Sequence, residues 1–231
     1  MIEFKNINKK FGHIQVLKDV SLALEKGSCV VFIGPNGCGK TTLLKCMLNM
    51  VIPDGGSVTI GKLNASDYES RRTIGFMPQI GCFPENMIVN EVVKTIVSIR
   101  NYDKELDKEL YRKFDIQSVG NKKMNTLSGG TVQKVSACIA FMFNPEIIVM
   151  DEPFAGLDLP AADVLKRKIG KEMKAGKTIL MTSHTFSEID GIVSHVVFMN
   201  NGTILFYEPL QDLLSTTGKD NVTEAVMCLL K

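Results

Sequence analysis

Long apolar runs are missing from this sequence. Apolar stretches such as CVVFI, IIVM and TILM are far shorter than the roughly 20 residues that cross a bilayer. The opening residues, MIEFKNINKK, also lack the basic-then-apolar order of a secretory signal. We therefore expect a soluble chain that stays in the cytoplasm.

An excess of charge of one sign is missing as well. The chain has 27 Lys and Arg against 25 Asp and Glu, which leaves a net charge of only +2. Proteins that bind nucleic acid as their main partner present a basic face, so we expect no nucleic-acid partner. The 231 residues are 45% hydrophobic, which is enough for one packed domain.

Paired cysteines are the third absence. The six cysteines are scattered, and none forms a C-x-x-C pair. Zinc sites need ligands in close pairs and disulfide frameworks belong to small secreted domains, so neither is expected. The pattern favours reduced, buried thiols at Cys29, Cys38, Cys46, Cys82, Cys138 and Cys228.

What the chain does contain is an alternation of short β-rich runs with longer helical patterns, which is typical of an α/β fold. CVVFI, TIGFM, IIVMD and TILMTS are almost wholly apolar, as expected for strands of a mostly parallel sheet covered on both faces. Residues 1–24 alternate more, which predicts an N-terminal antiparallel β layer. HVVFMNNGTILFYE predicts a hairpin that turns at Asn-Asn-Gly.

The strand pattern stops between Gln79 and Leu127. Within this region NEVVKTIVSIRNYDKELDKELYRKFDI has helical periodicity and opposite charges at four-residue spacing. We therefore predict one domain over residues 1–231, with a helical subdomain inserted at residues 80–130.

The segment VVFIGPNGCGKTTLLKCML matches a phosphate-binding loop. Gly34, Gly39, Lys40 and Thr41 satisfy G-x-x-x-x-G-K-[ST], with a strand pattern before them and a helical pattern after. Glycines let backbone N–H groups surround a phosphate, the lysine reaches the β- and γ-phosphates, and the threonine hydroxyl is offered to magnesium. A second Gly-Lys-Thr at 176–178 has Lys171 at the first glycine position and enters a strand, which predicts a connecting loop.

Polar residues follow three of the other apolar runs. Asp151 and Glu152 stand where IIVM ends, where an aspartate can hold magnesium and a glutamate can polarise an attacking water. His184 follows TILMTS and could hydrogen-bond a γ-phosphate. Read alone, an Asp-Glu pair at a strand end more often belongs to a solvated turn, and a lone histidine in a loop is usually structural. Gln79, alone, is only a polar residue where the helical insertion begins.

Taken together and in this order, the motifs resemble the nucleotide-binding subunits of ATP-binding cassette (ABC) transporters. The resemblance rests on GPNGCGKTT, MPQ, LSGG, IIVMDEP, AGLD and TSH, and it covers nearly the whole chain. LSGG at this position is nearly specific to the ABC class. The resemblance implies a phosphate-loop NTPase (RecA-like) core that hydrolyses ATP with Mg²⁺.

The resemblance also implies roles at matching positions. Adenine would stack on Phe11 beside Val16, although Phe11 alone also fits a core residue. Glu152 would be the general base, acting with His184. The implied residues for catalysis also include Gln79 and Lys40, those for magnesium are Thr41, Gln79 and Asp151, and those for ATP include Gly34, Pro35, Asn36, Gly37, Cys38, Gly39, Lys40, Thr41 and Thr42.

The LSGG stretch predicts the start of a helix. Ser128 is expected to cap it, with Gly129 and Gly130 in a first turn whose unpaired N–H groups suit a phosphate. The resemblance implies that these three residues contact the ATP of a second subunit and that Asp158 lies at the dimer seam. Thr131 departs from the glutamine that the family usually has.

The implied partners are a second ATP-binding subunit, in a homodimer, and an integral membrane permease. The chain would then lie on the cytoplasmic face of the cell membrane. MPQIGCFPENMIVNEVV and SGGTVQKVSA resemble cassettes of the ABC-2 export type, including those serving nitrous-oxide-reductase copper maturation. Two alternatives stay open: a soluble ABC ATPase not tied to transport, and a phosphate-loop kinase, which would leave LSGG and the histidine unexplained.

Overall fold

The computed structural model describes residues 1–184, 189 and 191–229. Within them the strands are β1 (Ile2–Phe11), β2 (Ile14–Leu24), β3 (Cys29–Ile33), β4 (Gly55–Ile60), β5 (Leu63–Asn64), β6 (Ile74–Met77), β7 (Ile147–Asp151), β8 (Thr178–Thr182), β9 (His195–Asn200) and β10 (Thr203–Pro209). The α-helices are α1 (Lys40–Met47), α2 (Tyr68–Arg72), α3 (Val89–Arg100), α4 (Glu109–Lys113), α5 (Gly129–Met142), α6 (Leu159–Lys174), α7 (Leu210–Thr217) and α8 (Val222–Leu229).

The strands form two sheets. The larger has the order β10-β9-β3-β8-β7-β6, and its strands are parallel except β10, which pairs with β9 in the antiparallel sense. The smaller is antiparallel, with the order β2-β1-β4-β5. The predicted α/β class and N-terminal antiparallel layer are confirmed, and the four apolar runs are β3, β6, β7 and β8.

The larger sheet is packed on both faces, as its apolar strands require. Alternate residues of β3 enter different clusters: Val31 packs in the cluster that contains Leu165 of α6, and Phe32 in the cluster that contains Leu43 of α1. Burying one such side chain contributes about 1.5–3 kcal/mol. Because both faces of β3 are fixed, the position of the loop that follows it is fixed too.

The predicted hairpin is present and also joins the two sheets. β9 ends at Asn200 and β10 begins at Thr203, with Asn201 and Gly202 at φ angles of 47° and 85°. Two successive positive φ values are those of the turn that Asn-Gly favours. The Gly202 carbonyl oxygen accepts the Lys18 N–H at 2.9 Å, which ties the turn to β2.

The helical pattern after Gln79 is interrupted in the structure. Helix α3 ends at Arg100, and Asn101 follows it in the left-handed region with a φ of 45°. The Arg100 guanidinium donates a 2.9 Å hydrogen bond to the Ile74 carbonyl oxygen of β6, so the helix end is anchored to the sheet. The charged residues after Asn101 form only the short helix α4.

Two further expectations concern cysteines and membranes. All six cysteines are free, but Cys82 and Cys228 are exposed, so the expectation of buried thiols is wrong at these two. Burial raises the pKa of Cys29 to about 12 and that of Cys46 to about 11.

Within the described part of the chain, no helix has both the length and the apolar character needed to cross a membrane.

Candidate active site

The phosphate loop joins the buried strand β3 to helix α1. Gly34 and Gly39 in this loop have positive φ angles of 144° and 109°. A Cβ atom on Gly34 would lie 2.0 Å from the Met199 carbonyl oxygen, and one on Gly39 would lie 2.9 Å from the Val16 carbonyl oxygen. Both positions therefore require glycine, and the loop backbone is held against its neighbours.

Lys40 lies within this loop and is only 6% exposed. Its Nζ donates hydrogen bonds to the carbonyl oxygens of Gly34 at 2.8 Å and Pro35 at 3.1 Å. Helix α1 begins at the same residue and has no acidic side chain in its first turn. The positive charge of Lys40 and the positive end of the helix dipole therefore lie at the same end of the loop, an arrangement that suits phosphate binding.

The carboxylate of Asp151 receives two hydroxyl donors. The Thr41 hydroxyl donates to its Oδ1 at 3.0 Å, and the Thr182 hydroxyl donates to the same oxygen at 2.6 Å. Asp151 ends β7 and is opposite Thr182, which ends β8. Thr182 was not among the predicted residues. The signal that could have indicated it is a hydroxyl at the end of an apolar strand, two residues before His184.

Glu152 turns the chain away from the sheet. Its φ of 48° lies in the left-handed region, which costs a residue other than glycine about 1 kcal/mol or more. The Glu152 N–H donates to the Thr182 hydroxyl oxygen at 2.9 Å, and the Glu152 carbonyl oxygen accepts the Ala155 N–H at 3.1 Å. These two bonds stabilise the unusual backbone conformation of Glu152 at the end of β7.

Two other predicted residues contact that carboxylate. The Gln79 side-chain amide donates to Glu152 Oε2 at 2.9 Å, and His184 Nδ1 lies 3.5 Å from Oε1. Gln79 follows β6 and His184 follows β8, on either side of β7. The parallel order therefore brings together three residues that are 32 or more positions apart.

These groups line one cavity of about 490 Å³. Phe11, 49% exposed, and Val16 lie at one part of its wall, and the residues of the phosphate loop, Gln79, Glu152 and His184 complete it. The predicted residues in its lining are Phe11, Val16, Asn36, Gly37, Gly39, Lys40, Thr41, Thr42, Gln79, Glu152 and His184.

Eight predicted site residues lie outside that lining. Gly34, Pro35 and Cys38 belong to the same loop, and Cys38 is buried with its Sγ 3.9 Å from the Lys40 Nζ. Asp151 is 3% exposed and contacts the lining residue Thr41. The other four are Ser128, Gly129, Gly130 and Asp158, which lie at the starts of α5 and α6.

Helix α5 begins as predicted, with Ser128 as its cap. The Ser128 Oγ accepts the Thr131 N–H at 3.3 Å and lies 2.9 Å from the Thr131 hydroxyl oxygen. Ser128 and Gly129 are exposed, and a Cβ atom on Gly129 would meet nothing within 4 Å. This helix start is therefore exposed, and it lies outside the lining of the cavity.

Asp158 caps helix α6 and connects it to α5. Its Oδ1 accepts the Ala161 N–H at 2.8 Å, and its Oδ2 pairs with the Lys134 Nζ at 2.8 Å. The hydrogen bond from Lys134 is the main reason that the pKa of Asp158 lies below its ordinary value. A Cβ on Gly130 would lie 2.7 Å from the Gly156 carbonyl oxygen, so the two segments are also in backbone contact.

Comparison with known proteins identifies relatives over the length of the chain. The family profile described as ABC transporter matches residues 17–155. A relative named as a probable sulfate/thiosulfate import ATP-binding protein, CysA, from Chlorella vulgaris is 31% identical, and the match covers 92% of each chain.

Solved structures show the same similarity. An ATP-binding subunit of an ABC transporter has a TM-score of 0.90 at 25% identity, with 100% of both chains covered. A dimeric ATP-binding cassette in a post-hydrolysis state, bound to ADP and Pi, has a TM-score of 0.77 at 26% identity, covering 91% of this chain and 99% of the other.

Proposed function

Since this chain belongs to the ABC transporter family, we propose that it is the ATP-hydrolysing, energy-coupling subunit of a membrane transporter. The observation that carries the proposal is the single cavity that gathers the phosphate loop, Glu152, Gln79 and His184. These residues come from four separate connections of the chain, and only the parallel order of the strands brings them together.

We assign ATP binding to the lining of this cavity. Phe11 offers a half-exposed ring against which adenine can stack, with Val16 beside it. Lys40 and the start of α1 supply positive charge for the phosphates, and Thr42 lines the same space. Asn36 and Gly37 complete the loop around them.

The hydrolytic step is assigned to Glu152. Its carboxylate accepts a proton from water as the water oxygen bonds to the γ-phosphorus, and the bond from phosphorus to the ADP oxygen breaks. The contacts with Gln79 and His184 fix the carboxylate at the cavity wall. His184 can also donate to the γ-phosphate, which is the role that its position in the sequence indicates.

The residues present fit a magnesium ion. The Thr41 hydroxyl and the Asp151 carboxylate lie 3.0 Å apart, Gln79 lines the same cavity, and magnesium prefers oxygen ligands of these kinds. When bound beside ATP, the ion would neutralise charge on the β- and γ-phosphates. We therefore propose that Thr41, Asp151 and Gln79 hold it.

The partners that we propose are a second copy of this chain and an integral membrane permease. The open helix start at Ser128, Gly129 and Gly130 is assigned to the γ-phosphate of ATP in the second copy, and Asp158 to the seam between them. The permease would place the chain on the cytoplasmic face of the membrane. The resemblance to ABC-2 export cassettes, including those of nitrous-oxide-reductase copper maturation, stays a prediction.

The proposal is tested with Glu152→Gln. This change removes the base but keeps the size of the side chain, so ATP binding should persist while hydrolysis falls by about 10²-fold or more. The variant should accumulate as a dimer with ATP and magnesium, measured by light scattering during size-exclusion chromatography. Glu146→Gln, just before the opposite end of β7, is the control and should behave as wild type. Wild-type turnover in Glu152→Gln, or a monomer at saturating ATP and magnesium, would contradict the proposal.

A further inference from the structure

Thr182 contacts both acidic residues of the site, Asp151 and Glu152. It ends β8, is fully buried, and its hydroxyl oxygen is 2.6 Å from Asp151 Oδ1 and 2.9 Å from the backbone nitrogen of Glu152. None of the roles assigned above includes it. The contacts depend on the pairing of Asp151 with Thr182 across neighbouring strands.

The chemistry of the three groups fixes the direction of both hydrogen bonds. The Thr182 hydroxyl donates to Asp151 Oδ1, so its single proton points to that oxygen. The N–H of Glu152 only donates, so it uses a lone pair on the same hydroxyl oxygen. Thr182 therefore connects the residue assigned to magnesium with the backbone of the residue assigned as base.

This connection bears on a strained position. Glu152 has a φ of 48°, a conformation that side-chain-bearing residues rarely adopt, and it persists only where neighbouring contacts hold it. The Thr182 hydroxyl is the acceptor for its N–H, at the point where β7 ends. The direction in which the Glu152 carboxylate leaves the strand, toward Gln79 and His184, follows from that backbone geometry.

We propose that Thr182 is a positioning residue for ATP hydrolysis, whose hydroxyl orients Glu152 from the buried carboxylate of Asp151. The inference rests on the function proposed above and deepens it. It assigns Thr182 no contact with ATP, because Thr182 is not part of the cavity lining. Its removal should therefore affect turnover more than nucleotide affinity.

The test compares Thr182→Val with Thr182→Ser. Valine keeps the shape and removes the hydroxyl, so kcat should fall about 10- to 100-fold, the effect of a misplaced catalytic group. KM for ATP, and the affinity for ATP without magnesium measured by fluorescence titration, should stay within about threefold. Serine restores the hydroxyl and should recover most of kcat.

A control lies on the same strand. The Thr178 hydroxyl, at the other end of β8, accepts the Gly27 N–H at 3.0 Å, so Thr178→Val removes a comparable bond far from the cavity and should keep the wild-type kcat. Urea unfolding reports whether each variant folds. If Thr182→Val does not fold, Thr182→Ala carries the same expectation without a methyl group beside the carboxylate.

The double variant Thr182→Val with Glu152→Gln tests whether Thr182 affects kcat through Glu152. If Thr182 acts through Glu152, the double variant should hydrolyse ATP no more slowly than Glu152→Gln alone. A wild-type kcat in Thr182→Val, an equal loss in Thr182→Ser, or a loss of affinity without a loss of kcat would overturn the inference. Wild-type turnover in Glu152→Gln would overturn the proposed function, and the inference with it.

Discussion

Ser128 has one observed role and one proposed role at the start of helix α5. It caps the helix through its bond to the Thr131 N–H, and its exposed position is the one proposed to meet ATP of a second subunit. Thr131, which departs from the family's usual glutamine, places its hydroxyl 2.9 Å from the Ser128 Oγ. The two hydroxyl groups are therefore within hydrogen-bond distance of each other.

The observed cap and the proposed phosphate contact of Ser128 are separable by experiment. In Ser128→Phe the lost cap should lower the free energy of unfolding by about 1 kcal/mol, measured by urea unfolding. ATP should still bind to the monomer, because Ser128 lies outside the cavity of its own chain, while hydrolysis should fall about 10²-fold or more for loss of the phosphate contact.

A second cap supplies the control for that change. The Asn221 side chain accepts the Glu224 N–H at 2.9 Å at the start of α8, so Asn221→Ala should destabilise the chain similarly without changing hydrolysis. Equal losses of ATP binding and hydrolysis in Ser128→Phe would mean that Ser128 serves the nucleotide of its own chain.

At the level of elements, helices α5 and α6 start side by side. Gly130 and Gly156 meet through their backbones, and Lys134 pairs with Asp158. The two segments proposed to face the second subunit are therefore held to each other within one chain. A shift of one helix start should move the other.

Lys134→Met tests that connection. The backbone bond from Ala161 should keep Asp158 as the cap of α6, but the link to α5 is lost. We expect hydrolysis and ATP-dependent dimer formation to weaken about 3- to 10-fold, with ATP binding to the monomer unchanged. Lys134→Arg should restore both. Arg167→Met, which breaks an exposed pair with Asp163 on the same α6, is the control; an equal loss there would count against the connection.

The elements that the sequence predicts well are those whose pattern is local. Strands β3, β7 and β8 are apolar because they are buried on both faces, and each ends at a polar motif. Strand β4 was missed because it begins with two glycines and is partly polar, and β5 because it has only two residues, both exposed, at the edge of the small sheet. Helices α7 and α8, each of eight residues, were missed as well.

The site shows the same division. Lys40, Asp151 and Glu152 could be predicted because a motif is a run of neighbouring residues. The bonds of Thr182 could not, because they join positions 31 and 30 apart whose proximity depends on which strands lie next to each other. The pair of Lys134 with Asp158 likewise depends on the contact between two helices.

For the whole molecule, an ionic cluster around the buried Lys168 joins the segment around α4 to helix α6. Lys168, only 2% exposed, pairs with Asp107, Glu109 and Glu172, and Lys171 pairs with Glu109. Glu172 also pairs with Lys177 just before β8. Asp107, just before α4, and Glu109, in α4, thus connect the region after β6 to the helix that Asp158 caps.

Lys168→Met should destabilise the whole chain. Removing the central cation leaves partly buried carboxylates without it, which should lower the free energy of unfolding by about 3 kcal/mol, measured with urea at neutral pH. Lys171→Met is the matched control, because Lys171 is exposed and its pair with Glu109 should contribute less than about 1 kcal/mol. Equal effects of the two variants would mean that the cluster gives no more stability than a surface pair.

Acidification tests the same cluster in the wild-type chain. Burial by itself raises the pKa of Asp107, but the hydrogen bonds from Lys168 and the Glu109 N–H more than offset it, and the pKa lies below its ordinary value. The hydrogen bond from Lys171, with that from Lys168, lowers the pKa of Glu109. A lowered folded-state pKa gives stability that is complete above the ordinary carboxyl pKa of about 4 and is lost as the pH falls through the folded value. Lys168→Met should therefore lose less stability on acidification than wild type. Equal losses in the two proteins would show that other carboxylates cause most of the acid destabilisation.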